Sequence, residues 1–208
     1  MTVRVIAAPT IYPVTLDEAK AWCKVVLPAG DTRADGDLNT LLRGMTGFAE
    51  HVTGRAYCER TLEYSADWFC YEARLPFPPL IELLSVKYTD QNGAEQTVDP
   101  ADYRVDATSE PARVRGRSGF VWPSVGLDYF SPVRYRYRAG YVSAQSPADE
   151  DDRSFIPDEV RLWIQQRIVT LYNNREVAAF GFHTVQELPR SLHDALLDGL
   201  VVADQRFG

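Results

Sequence analysis

The histidines are the first residues to test for chemistry, because imidazole serves as a catalytic base and as a metal ligand near neutral pH. His51 lies inside a helical pattern, and His183 is isolated in the sequence. Ser191, His193 and Asp194 contain the residue types of a hydrolytic triad. Ser191 and Asp194 also suit a helix cap, and closeness in sequence does not create triad geometry. We therefore expect structural roles and keep a small hydrolase using His183 or His193 as a minor alternative.

A short acidic stretch, residues 31–37, has the carboxylates of a calcium-binding loop. Arg33 occupies a ligand position, however, and Leu42 stands where the loop needs a bidentate glutamate, so coordination would fail. The sequence also has no glycine-rich phosphate loop, HExxH motif or CxxC pair. It therefore predicts no catalytic residues, no metal site and no cofactor.

The composition restricts the classes of partner. The 208 residues include 22 Lys and Arg against 29 Asp and Glu, a formal net charge of -7, which disfavours tight binding to DNA phosphates. No apolar run approaches the length of a signal or a membrane span. The number of cysteines is odd, and they lack metal-ligand spacing, which predicts reduced thiols in a cytosolic product. They are Cys23, Cys58 and Cys70.

Helical patterns occupy both ends of the sequence. Thr15 and Glu18 form a capping box before a predicted helix at about 16–26, and apolar residues at steps of three and four predict a second helix from Asp37 to Val52. Pro157 begins a third predicted helix, with a stripe of Val160, Ile164, Ile168 and Leu171, and Ser191 could cap a fourth. These segments predict a small bundle of about four helices.

The middle of the sequence, about 60–141, shows strand alternation instead. Leu84, Val86 and Tyr88 alternate with polar residues, and Asn92-Gly93 predicts a tight hairpin turn through two positive-φ residues. The fold class is therefore α+β, a helical bundle with a central antiparallel β insertion. The expected organisation is 1–58 as the N-terminal half of the helical part, 59–148 as the insertion, and 149–208 as the C-terminal half of the helical part.

Arginines repeat at every second position in two places of this β segment. Arg134, Arg136 and Arg138 would project from one face of a strand, opposite Val133, Tyr135 and Tyr137, and Arg113, Arg115 and Arg117 show the same spacing. One interpretation is a solvated face that pairs with the many carboxylates of the chain. The other is a surface near DNA or a subunit contact, for example with a neighbour's acidic residues 149–152.

The order of short motifs along the chain resembles the head–tail connector or adaptor proteins of tailed phages and gene transfer agents. The matching pieces are 13–20 (PVTLDEAK), 53–55 (TGR), 75–80 (LPFPPL), 86–90 (VKYTD) with Gly93, 102–105 (DYRV), 122–123 (WP), 133–135 (VRY) with 139–141 (AGY), 156–157 (IP) and 172–176 (YNNRE). The resemblance covers most of the chain and depends on the order of the pieces.

The resemblance implies a non-enzymatic subunit of a homo-oligomeric ring, commonly twelvefold, in the virion neck after assembly in the host cytoplasm. The ring would bind the portal protein above and a neck, stopper or tail protein below, while genomic DNA passes through without tight binding, and no membrane is involved. Its C-terminal segment, about 203–208, would reach into the portal, which adds Arg206 and Phe207 to the expected contacts Arg113, Arg115, Arg134, Arg136 and Arg138. A tail-completion or baseplate-type protein-binding module is the alternative.

Overall fold

A computed structural model describes residues 2–25, 28, 31–126, 128–141, 153, 155–173 and 196–202. They form an α+β fold, as predicted, in which the helices and the antiparallel sheets belong to separate compact units. The helical unit contains α1 (Leu16–Trp22), α2 (Asp35–Thr53) and α3 (Asp158–Asn173). Helical residues 196–198 also belong to it, whereas Ser191, the predicted cap of a fourth helix, lies outside the described residues.

The capping box of α1 is confirmed. The Glu18 N–H donates to the Thr15 hydroxyl at 3.1 Å, and the Thr15 N–H donates to the Glu18 carboxylate at 2.8 Å. The helix ends at Trp22, earlier than predicted, because Lys24 adopts a left-handed conformation at φ 52°. The N–H of Val25 then donates to the Lys20 carbonyl, a bond that closes helices in the Schellman arrangement.

The second and third helices are confirmed, but their predicted stripes are only partly buried. In α2, Leu38, Leu42 and Ala49 are buried, whereas Phe48 and Val52 stay half exposed. In α3 the buried residues include Val160, Ile164 and Ile168, and Leu171 is exposed. Apolar periodicity therefore identified the helices correctly and overestimated the width of their buried faces.

The β unit is a sandwich of two antiparallel sheets. Its strands are β1 (Thr2–Ala7), β2 (Arg60–Ala66), β3 (Glu72–Leu75), β4 (Leu80–Thr89), β5 (Glu95–Thr97), β6 (Tyr103–Asp106), β7 (Ala112–Gly116) and β8 (Val133–Ala139). The larger sheet has the order β1-β2-β8-β4-β5, and the smaller has the order β3-β7-β6. Buried residues of both sheets form one apolar core.

Strand β8 lies at the centre of the larger sheet and shows the predicted alternation. Val133, Tyr135 and Tyr137 are at most 1% exposed, and the arginines between them point to the outer face. The Tyr137 hydroxyl donates to the Pro76 carbonyl at 2.8 Å. Directly after the strand, Gly140 has φ 128°, and a Cβ there would lie 2.6 Å from the Cys58 carbonyl oxygen, so a side chain does not fit.

The β4–β5 hairpin is confirmed, but its turn differs from the prediction. Strand pairing ends at Thr89 and Glu95, which leaves a five-residue loop. Gly93 alone has positive φ within that loop, and the Asp90 carboxylate accepts hydrogen bonds from the N–H groups of Asn92 and Ala94. The loop is therefore organised by Asp90 rather than by an Asn-Gly pair.

Two features of the larger sheet were not predicted from the sequence. An irregularity between Leu83 and Ser85 turns Leu84 outward, where it is 43% exposed, and lets Leu83 pack on the core instead. The first ten residues, for which no element was predicted, include the edge strand β1, which belongs to the β unit. The predicted division of the chain into 1–58, 59–148 and 149–208 stays a prediction.

Candidate interaction surfaces

Of the histidines and the triad residue types considered for chemistry, the structure describes only His51. His51 is exposed in α2, and His183, Ser191, His193 and Asp194 lie outside the described residues. In the part of the chain that the structure describes, no three His, Cys, Asp or Glu side chains could hold a metal ion together. No helix among the described residues is long and apolar enough to cross a membrane.

The carboxylates of the 31–37 stretch form ion pairs with basic side chains. Asp31 accepts from the Arg33 side chain at 2.9 and 3.0 Å, and the Arg33 side chain and backbone N–H lower the pKa of Asp31. The Lys20 ammonium lies 2.6 Å from the Asp35 carboxylate. Asp31 and Asp35 therefore form ion pairs with basic side chains of the same chain.

Arg136 and Glu63 form the centre of the charged outer face of the five-stranded sheet. The strand register places Arg4, Glu63 and Arg136 in one row across β1, β2 and β8. Arg136 donates twice to Glu63 Oε2, at 2.7 and 3.1 Å, and Arg4 donates to Oε1 at 2.8 Å. The Glu63 side chain is only 5% exposed, so both of its oxygens are covered by arginines.

The electrostatics of Glu63 follow from this geometry. Burial by itself would raise the pKa of Glu63, but the hydrogen bond and charge of Arg136, together with Arg4, outweigh burial and lower it. The carboxylate is therefore ionised near neutral pH, and the row is held by charge-assisted hydrogen bonds.

The other two arginines of β8 are paired as well. Arg134 contacts Glu95 at 2.6 Å, and Lys87 contacts the other oxygen of that carboxylate at the same distance. Arg138 donates to Glu59 and lies 3.5 Å from Glu82. Arg134, Arg136 and Arg138 thus all have carboxylate partners within the chain. This agrees with the interpretation of the pattern as a face that pairs with carboxylates of the chain.

On the outer face of the three-stranded sheet, Arg113 resembles the paired arginines. It contacts Asp106 at 2.8 Å and Glu72 at 3.7 Å. Hydrogen bonds from the hydroxyls of Ser109 and Thr108, followed by that of Arg113, hold the pKa of Asp106 far below its usual range. Asp106 is therefore an anion fully engaged with its neighbours.

Arg104 and Arg115 differ from the rest. The register of β6 and β7 places them directly opposite each other, and neither forms an ion pair or side-chain hydrogen bond with any described residue. Together with Glu72, Asp106 and Arg113, they line a shallow cavity of about 270 Å³. The alternation of 113–117 indicated Arg115 from the sequence, but Arg104 was missed because only the strand register brings it to the same place.

Exposed aromatic rings at one end of the β unit form a further surface that sequence reasoning missed. Phe130 is fully exposed, Tyr71 is 83% exposed and Trp68 is 61% exposed. The Ser131 N–H donates to the Asp67 carboxylate at 3.1 Å, which joins the loops that follow β2 and precede β8. The signal was present as three aromatic residues in loops, where no core position is expected.

Three further parts of the predicted contact surfaces remain: the C-terminal segment, the acidic segment and Arg117. Arg206 and Phe207 are outside the described residues, as are the acidic residues 149–152. Arg117 follows β7 and donates to the Tyr103 carbonyl at 3.4 Å. The role of these residues in subunit contacts stays a prediction.

No family model and no curated protein matches the sequence. Among solved structures, the chain is similar to one in the neck of an empty gene transfer agent (GTA) particle computed with C6 symmetry, at 16% identity and a TM-score of 0.71. The same values hold for a chain in the virion of a native GTA particle. A chain in the neck of a native GTA particle computed with C12 symmetry has 18% identity and a TM-score of 0.66.

These matches extend over nearly the whole molecule. In each case 97% of this chain and 96% of the other chain are covered. The chain therefore shares the fold of GTA neck and virion chains from end to end, including both the helical unit and the β sandwich.

Proposed function

We propose that this protein is a structural subunit of the neck of a tailed phage or phage-like particle, where it acts as a head–tail adaptor. The observation that carries the proposal is the end-to-end fold match with chains of GTA necks. The order of motifs along the sequence supports the same function independently of the fold, because it depends only on residue identities.

A homo-oligomeric ring is the assembly that we propose, with twelve copies as the expected number. The support is that the similar neck structures were computed with C6 and C12 symmetry. A ring of identical subunits needs two different contact surfaces on each copy, and charged sheet faces can supply them. Exposed rings such as Phe130 and Trp68 are typical of surfaces that pack against another protein.

The partners of the ring follow from this position. We infer that the portal protein lies on one side and a neck, stopper or tail protein lies on the other, in the virion neck. Genomic DNA would pass through the ring without tight binding, since a net charge of -7 opposes retention of phosphates. We propose no catalytic activity for the protein.

Electron microscopy of particles produced without this protein, beside particles in which it is restored, tests the proposal. We expect DNA-filled or leaking heads without tails in its absence, and a ring of density under the portal when it is restored. Complete particles in its absence would contradict the adaptor function. Particles with a normal portal region but a defect farther along the tail would favour the tail-completion or baseplate-type alternative.

A further inference from the structure

We propose that Arg104 and Arg115 bind the acidic segment 149–152 of a second copy of this chain. We call the outer face of β6 and β7 around these two residues the arginine pair site. The inference rests on the proposed function, because it names a contact between neighbouring copies of the ring. It starts from the observation that Arg104 and Arg115 lie opposite each other in the strand register and form no ion pair with a described residue, although Glu72 lies opposite Arg115 on the other side.

The arginine pair site favours an anion from outside. Like charges directly opposite each other on neighbouring strands destabilise a sheet, whereas an opposite charge placed beside them stabilises it. Within the site, Asp106 is already engaged by Ser109, Thr108 and Arg113. Arg104 and Arg115 therefore keep their donors available, and a guanidinium binds carboxylates through two parallel hydrogen bonds.

The chemistry of the occupant follows from the size and charge of the site. Two free arginines beside Glu72 and Asp106 form a small cationic spot, which suits a few carboxylates better than a long row of DNA phosphates. Four consecutive carboxylates occur at Asp149-Glu150-Asp151-Asp152. Every copy then carries one donor site and one acceptor segment, and such head-to-tail contacts give a ring when the rotation between neighbouring copies closes.

Charge variants measured by analytical ultracentrifugation at low salt test the inference. Variant one is Arg104→Glu with Arg115→Glu, which reverses the site and keeps the acidic segment. Variant two is Asp149→Asn, Glu150→Gln, Asp151→Asn and Asp152→Asn, which neutralises the segment and keeps the site. Lys24→Glu with Arg43→Glu, on exposed positions of the helical unit, reproduces the charge change of variant one as a control.

We expect the wild-type chain to self-associate, with an association constant that falls as salt is added. Each variant should weaken self-association by about tenfold or more, because charged hydrogen bonds contribute on that scale, and the control should behave like the wild type after correction for net charge. A mixture of variants one and two should form a 1:1 heterodimer that does not grow further, since one intact site meets one intact segment.

Three outcomes would overturn the inference: a wild-type chain that stays monomeric at all concentrations, variant one associating like the wild type, or no heterodimer in the mixture. Duplex DNA that binds the wild type but not variant one would assign the site to phosphates instead. Circular dichroism and thermal unfolding of each variant check that folding is intact. A heterodimer combined with complete particles in the absence of the protein would contradict the adaptor function but not this contact.

Discussion

The two outer faces of the β sandwich present arginines in similar patterns with different partners. On the five-stranded sheet, Arg134, Arg136 and Arg138 each contact a glutamate, which lies in β5, in β2 and in the residue before β2, respectively. On the three-stranded sheet, Arg113 is paired, while Arg104 and Arg115 lie opposite each other and form no ion pair with a described residue, Glu72 on the far side of Arg115 included. The same alternation in sequence thus gives a face whose arginines pair with carboxylates of the chain in one sheet. In the other sheet it gives a cationic site with two arginines that form no ion pair with a described residue.

The difference comes from what the neighbouring strands supply. The register sets Glu63 between Arg4 and Arg136, and both of them bind it. It sets Arg115 between Glu72 and Arg104, but Glu72 contacts Arg113 at 3.7 Å rather than pairing with Arg115. A paired face stabilises its own sheet, whereas an unpaired one favours an external anion. The arginines of β8 therefore stabilise their own sheet, and we propose the outer face of β6 and β7 as the binding surface. The subunit contacts predicted for both faces stay predictions.

The largest effect is expected for Glu63→Gln. The substitution keeps the shape but removes the charge that accepts from Arg136 and Arg4, so we expect the free energy of unfolding to fall by about 2 kcal/mol. Urea denaturation measures it. Glu82→Gln is the matched control, since Glu82 is exposed and 3.5 Å from Arg138, and it should change stability by less than about 0.5 kcal/mol. Equal effects would contradict the distinction between buried and exposed pairs.

The cost of Glu63→Gln should also depend on pH. The pKa of Glu63 is lowered in the folded state, so the stability it contributes is fully present above the unfolded pKa of about 4.3. That contribution is lost as pH falls through the folded pKa. The difference in unfolding free energy between the wild type and Glu63→Gln should therefore shrink in acid. A difference that stays constant from pH 7 to about pH 3 would show that packing, not charge, is responsible.

A smaller effect is expected on the inward side of β8. Tyr137→Phe removes the hydroxyl that donates to the Pro76 carbonyl at 2.8 Å, so stability should fall by about 1 kcal/mol. Tyr71→Phe is the control, because Tyr71 is 83% exposed and should tolerate the change. Chemical denaturation of the two variants side by side separates the buried hydrogen bond from a general loss of hydroxyl groups.

The smallest effect should be that of Arg104→Ala, and its sign is the informative part. Removing one member of an unpaired like-charge pair should leave stability unchanged or raise it by about 0.5 kcal/mol at most. Arg136→Ala provides the contrast, since it uncovers the buried Glu63 carboxylate and should destabilise. If Arg104→Ala lowers the free energy of unfolding as much as Arg136→Ala does, the proposed difference between the faces is wrong.

Local patterns in the sequence determined most of the elements, because they depend on neighbours along the chain. The capping box of Thr15 and Glu18, the periodicity of α2 and the alternation of β8 all identified their elements correctly. Alternation also separated the buried tyrosines of β8 from its arginines, since successive side chains of a strand point to opposite faces.

Tertiary structure decided the features that depend on distant segments. The sequence alone determined that β8 has a charged face, but not that Glu63 of β2 pairs with Arg136, nor that Arg104 lies opposite Arg115. Strand register joins residues that are far apart in the chain. Nor did the sequence predict that β1 joins the larger sheet or that Leu84 points outward. Hydrophobic periodicity gives the face of each element, whereas pairing and irregularities in pairing determine which charges meet, and that is where the candidate site arises.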